Sequence, residues 1–105
     1  MKGTIIENSL IDKSILNNLQ ITKTWTEEDW ILHDVIINES QIKDIQKALD
    51  NGPWYIHFWE GNNIVVIYKD KIFHINKLDK NTWKEAIEHG KTLSIPEEQL
   101  DFLTD

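Results

Sequence analysis

A chain of 105 residues, 40% hydrophobic and 28% charged, can bury one core and is too apolar for disorder, so a single domain over 1–105 is the expectation. Its net charge of -7, with all 11 basic residues lysine, argues against nucleic acid as a partner, because that binding rests on Lys and Arg displacing counterions from phosphates. The lack of cysteine excludes disulfides and thiol chemistry, and no apolar run approaches the roughly 18 residues of a membrane span, so a cytoplasmic protein without membrane contact is expected.

In chain order, Lys2 to Glu7 reads as a strand, and Asp12 ahead of KSILNNL opens a short helix with Ile15, Leu16 and Leu19 on one face. Residues 20–26 and 30–37 read as strands joined across Glu27, Glu28 and Asp29. The segment NESQIKDIQKALDNGP carries a helix cap at Asn38, a capping-box return at Gln41 and a stop at Gly52-Pro53. Its apolar stripe is Ile42, Ile45, Ala48 and Leu49. Strands follow near 54–59, 64–69 and 72–77, separated by EGNN and KDK. Thr82, with Glu85 three residues on, opens a helix that Gly90 can end, and a last turn begins at Ser94 before Pro96. This order predicts an α+β fold with a mostly antiparallel sheet: a ferredoxin-like βαββαβ core with an added C-terminal β-hairpin and helix.

The stretch GPWYIHFWEGNN poses the functional question, because side chains alternate along a strand. Trp54, Ile56 and Phe58 then face one way, while Tyr55, His57 and Trp59 face the other. A three-residue connection through Gly61, Asn62 and Asn63 sets Phe58 opposite Val66, and a turn at Asp70-Lys71 sets Tyr68 opposite Phe73. That register gathers Ile56, Phe58, Ile64, Val66, Tyr68 and Ile75 into a core face. Tyr55, His57, Trp59, Val65, Ile67, Ile72 and His74 are left on a second face, too apolar for open solvent. A two-residue turn at Gly61-Asn62 instead moves His57 to the core face, since a one-residue slip flips every side chain. In the earlier hairpin, an EED loop puts Ile21, Trp25 and Ile31 on one face, and Thr24, Trp30 and Leu32 on the other. Three covers for the second face stay open: the C-terminal segment, with Trp83, Ile87, Leu100 and Phe102; a second subunit; or a ligand.

His33, His57, His74 and His89 share no H-x-x-x-H or H-x-H spacing, and in this register His57 and His74 flank Ile67 at about 10 Å. No metal and no cofactor is expected. A nucleophile elbow and phosphate-binding glycine loops are missing, which leaves acid-base work by His57 with Tyr55 as the one enzymatic chemistry still open. Candidate ligand or interface residues are Tyr55, His57, Trp59, His74 and Trp30. Two acidic clusters, Glu27-Glu28-Asp29 and Glu97, Glu98, Asp101 and Asp105, are either solvated or steer a basic protein partner.

The blocks GPWYIHFW, TWKEAI and SIPEEQLDF resemble those of a family of small prokaryotic proteins of unknown function, across most of the chain. That resemblance implies no activity, cofactor or site residue. The reading is a protein-interaction or regulatory module, with self-association or a protein partner expected. A small-ligand-binding protein or acid-base enzyme using the Tyr55, His57 and Trp59 face is the alternative.

Overall fold

The computed structural model describes residues 1–104; Asp105, counted above with the acidic C-terminus, lies outside the described residues. Runs of β-branched and aromatic residues form six strands: β1 (Lys2–Ile6), β2 (Gln20–Glu27), β3 (Trp30–Ile36), β4 (Ile56–Glu60), β5 (Asn63–Ile67) and β6 (Ile72–Asn76). They make one sheet in the order β2-β3-β1-β4-β5-β6, with every pairing antiparallel. The helices are α1 (Ile42–Ala48) and α2 (Lys84–Thr92). The α+β class therefore stands. All six expected strands form and join one sheet, but the 3-10 turn Lys13–Asn18 stands where the helix after Asp12 was predicted, so the first crossover lacks the helix of a ferredoxin-like unit.

Local signals hold where both partners are near in sequence. Asp12 caps its turn by accepting from Ser14 N at 3.1 Å, and Gln41 Oε1 accepts from Asn38 N at 2.9 Å ahead of α1. That helix ends at Ala48, well before Gly52-Pro53, because the first connection captures its end. Ile11 N donates to Ala48 O at 2.8 Å, Asp50 N donates to Ser9 O at 2.8 Å, and Leu10 bridges to Leu49. Asp79, rather than Thr82, caps the turn before α2 by accepting from Asn81 N at 3.1 Å. Nor does Gly90 end α2. The helix runs on to Thr92 and turns out at Ser94, whose φ is 66°, with Ile95 N donating back to Gly90 O at 3.1 Å.

Both later hairpins differ from the predicted registers. Glu60 pairs with Asn63 across a two-residue Gly61-Asn62 turn, so Phe58 lies opposite Val65 and His57 opposite Val66. Gly61, at the first central position, takes the positive φ of 59° that such a tight turn requires. In the next hairpin the turn is Lys69-Asp70, with Tyr68 N donating to Lys71 O at 2.8 Å and Ile67 opposite Ile72. The β2–β3 turn is likewise two residues, Glu28-Asp29, with Glu28 at φ 53°; Trp25 falls opposite Leu32 and shares its face with Trp30, not with Ile31.

Each face of the sheet therefore has its own core. On one, Ile5, Val35, Ile56, Phe58, Val65 and Ile67 pack against α1 and the first 3-10 turns. On the other, Ile64, Val66, Tyr68 and Ile75 pack against α2 and the C-terminal strap that follows it, through Trp83, Ala86, Ile95, Leu100 and Phe102. Each fully buried aliphatic or aromatic side chain contributes on the order of 1.5–3 kcal/mol. The strap thus covers the second face over β4, β5 and β6.

Gly90 marks the point of closest approach in that second core: a Cβ there would sit 2.7 Å from Leu100 Cδ2 and 2.7 Å from Tyr68 Oη, which is itself fixed by a 2.6 Å bond to Ala86 O. Gly90→Ala should destabilise the fold by about 1–2 kcal/mol, because overpacking outweighs the roughly 1 kcal/mol of helix propensity gained. Urea denaturation measures this, and an unchanged or raised midpoint would contradict the packing described.

Candidate functional site

Tyr55 and the β4 residues His57 and Trp59 point to the second face, their rings in a row at centroid spacings of 6.0 and 5.3 Å. Both polar tips are engaged by the strap: the Tyr55 hydroxyl donates to Gln99 O, and His57 Nε2 donates to Leu103 O at 2.7 Å. Between them sits Phe102, 1% exposed, edge-on to Tyr55 at 5.4 Å and 6.0 Å from His57. A positive φ of 42° at Phe102 lets the chain dip into this aromatic row and leave again. Burial raises the Tyr55 phenol to about 12, with Asp101 adding to the shift. His57 is pushed down by burial, against the opposing effects of the Leu103 carbonyl and Asp101. The row is thus a clasp holding two uncharged polar tips onto backbone oxygens.

His74 lies apart from this group. It pairs with Val65 on the opposite face and is exposed, so His57 and His74 do not flank one ion. Among the described residues no group of three His, Asp or Glu side chains is placed to hold a metal. No helix among them is long and apolar enough to cross a membrane.

Among the described residues no layer covers the second face over β1, β2 and β3. Trp30 is 38% exposed there and Ile36 43%, and between them Thr4 Oγ1 donates to Asp34 Oδ1 at 2.6 Å. Where this open half meets the strap, two hollows form along the β1–β4 line. One, of about 400 Å³, is lined by Trp59, Ile36, Glu60 and the N-terminus. The other, of about 370 Å³, brings Trp30 and Tyr55 together with Trp54, Leu32, Glu27 and Gln99. Its floor includes the Trp30–Trp54 pair, edge-on at 5.4 Å. Glu27 is the carboxylate that lines it, with Glu28 and Asp29 following at the hairpin tip; on the strap, Glu97 and Glu98 precede the lining residue Gln99, all exposed, and Glu97 meets Lys91 Nζ at 3.3 Å.

One polar group escaped the sequence reading. His33, 7% exposed on the first face, has Thr24 Oγ1 at 2.8 Å from Nδ1 and Glu7 Oε1 at 3.0 Å from Nε2. Both ring nitrogens therefore have a partner. His33 lies on the same face as Val35, two residues along β3, but its partners are 9 and 26 residues away and leave no local signal.

No family model, curated protein or solved structure matches this chain.

The clasp has a pH signature. A folded pKa for His57 below the ordinary 6.5 means the unfolded chain takes up its proton first; stability is full above pH 6.5 and falls as pH drops below it. Tyr55 works in the opposite sense: the unfolded phenol ionises near 10 and the folded one near 12, so stability is full below pH 10 and falls from there towards 12. In melting-temperature scans, His57→Gln should flatten the acid limb alone. Tyr55→Phe should reduce the alkaline limb, part of which remains with Tyr68, also raised by burial. Identical profiles for parent and variants would remove the clasp as the titrating element.

Proposed function

We propose that this chain is a non-enzymatic protein-interaction module that docks a lysine- or arginine-bearing segment of a basic partner in the hollow between the hairpin tip and the strap. The observation that carries the reading is the Trp30–Trp54 pair lining a roughly 370 Å³ hollow together with Glu27, the first carboxylate of the acidic hairpin tip, and with Gln99, which follows Glu97 and Glu98 on the strap. Aromatic faces attract cations by about 0.5–2 kcal/mol, and the surrounding carboxylates add long-range steering. A net charge of -7 acts in the same direction. A cytoplasmic setting and descent from a split βαβ core belong to the same proposal. The cysteine-free composition supports the first, and the antiparallel run β2-β3-β1-β4, extended by β5 and β6, supports the second.

A second reading is a small ligand in this hollow, with Tyr55, His57 and Trp59 beside it. The cavity's size favours it, since ligand pockets start at about 300 Å³. Against catalysis stands the use of both the Tyr55 and His57 tips on strap carbonyls. Thermal stabilisation by one member of a metabolite library would favour the ligand.

For the docking reading, titration with a short arginine-rich peptide should quench tryptophan fluorescence, and raising salt should weaken the affinity. Trp30→Ala should cost about tenfold in Kd, as truncation of an aromatic anchor does, and a Glu97→Gln/Glu98→Gln chain should lose most of the salt dependence. No binding at low salt, or binding indifferent to Trp30→Ala, would sink the proposal.

A further inference from the structure

Strand β2 is one margin of the sheet, and its outer edge meets no other strand among the described residues. It is 8 residues long and exposed throughout, except for half-buried Trp25. The other margin, β6, is shorter, and its end is occupied: Trp83 Nε1 donates to Asn76 O at 2.8 Å and Thr82 Oγ1 accepts from Asn76 N at 2.9 Å. A long bare edge is a template for another strand, and proteins ordinarily blunt such edges with lysine, bulges or short length. Here the register shifts between Ile21 and Lys23, and the turn residue Glu28 has a positive φ of 53°. Those two breaks bound a regular stretch from Lys23 to Glu27.

Within that stretch Lys23, Trp25 and Glu27 project from one face and already touch. Lys23 Nζ lies 4.9 Å from the Trp25 ring centroid, and Trp25 Nε1 donates to Glu27 Oε1 at 3.2 Å. The row reads cation, aromatic, anion. Reversed, it is its own complement.

We propose that β2 pairs antiparallel with β2 of a second copy of this chain, about a two-fold axis through Trp25. Lys23 then lies opposite Glu27 of the partner subunit, Glu27 opposite the partner's Lys23, and the two Trp25 rings meet at the centre. On the other face Thr24 falls opposite the partner's Thr26. Opposite charges, aromatic pairs and threonine pairs are the cross-strand neighbours that stabilise antiparallel ladders. A parallel, in-register copy would set Lys23 against Lys23 and is repelled. Lysine here selects the direction of pairing rather than closing the edge. Because the axis is perpendicular to the sheet, the interface is isologous, and the uncovered half-faces of both copies lie on the same side of one continuous sheet. The pairing goes beyond the docking reading; Glu27 also lines the docking hollow, so Lys23→Glu, which lies outside it, is the variant that keeps the two tests apart.

A charge of -7 on each copy opposes association at long range, while the lysine–glutamate pairs act locally. The measurement therefore belongs at about 0.15 M salt, where the Debye length is about 8 Å. Sedimentation equilibrium of the full chain from micromolar to about 1 mM should show a concentration-dependent dimer. Lys23→Glu and Glu27→Lys should each weaken it about tenfold or more while leaving circular dichroism unchanged, because each sets like charges opposite one another. An equimolar mixture of the two variants should dimerise at least as well as the parent, since both cross-strand pairs are then attractive. The chain carrying both exchanges, which rebuilds the row in reverse order, should behave as the parent does and serves as the test if a single variant misfolds. A parent that stays monomeric to about 1 mM, a dimer insensitive to both single exchanges, or a folded mixture that stays monomeric would each overturn the pairing.

Discussion

The turn at Gly61 and Asn62 decides which side chains of β4 share a face with those of β5, and both cores depend on it. Because Glu60 pairs with Asn63, Ile56 and Phe58 join Val65 and Ile67 beneath α1, while His57 and Trp59 join Ile64 and Val66 beneath the strap. A three-residue turn would exchange these partnerships and leave each layer facing a mixed surface. Gly61 makes the shorter turn cheap by accepting a φ of 59°, where a side chain would meet nothing in space but would strain the backbone.

Burial on both faces also explains why β4 and β5 read so ambiguously. A strand with one wet face announces its inward residues by alternation; IVVIY, buried from Ile64 to Tyr68, has no wet face to contrast. The division of each strand into two sets was legible, and so were the α+β class, the cap at Asp12 and the Asn38–Gln41 return. What the sequence could not carry was the join between strands, since one residue of turn length separates two self-consistent registers. Helix ends behaved similarly. Gly52-Pro53 and Gly90 look like stops, yet Ile11 captures the end of α1 from 37 residues away, and Leu100 and Tyr68 employ Gly90 for its missing side chain.

Among the candidate residues, alternation grouped Tyr55, His57 and Trp59 correctly and could not reveal that their polar tips end on strap carbonyls. Trp30 and Tyr55 meet in one hollow although 25 residues separate them, because β1 lies between β3 and β4 and brings the two ends alongside. His74 went astray through the register alone: shifting β5 by one residue relative to β4 carried it to the opposite face.

Among the described residues the strap covers the apolar part of the second face. Over β4, β5 and β6 the second face offers His57, Val66 and Phe73, and the strap answers with Phe102 and Leu100. Towards β1 and β3 the floor changes to Thr4 bonded to Asp34, a pair that a dry layer would have to desolvate at a cost of several kcal/mol. Covering that half would therefore lose more than the scattered apolar contacts at Ile36 and Trp30 return. The open half-face is thus a consequence of composition. It leaves aromatic rings at its ends, a hydrogen-bonded polar centre and the carboxylates of the hairpin tip beside it, a surface suited to a partner that brings its own cations and is content to stay partly wet.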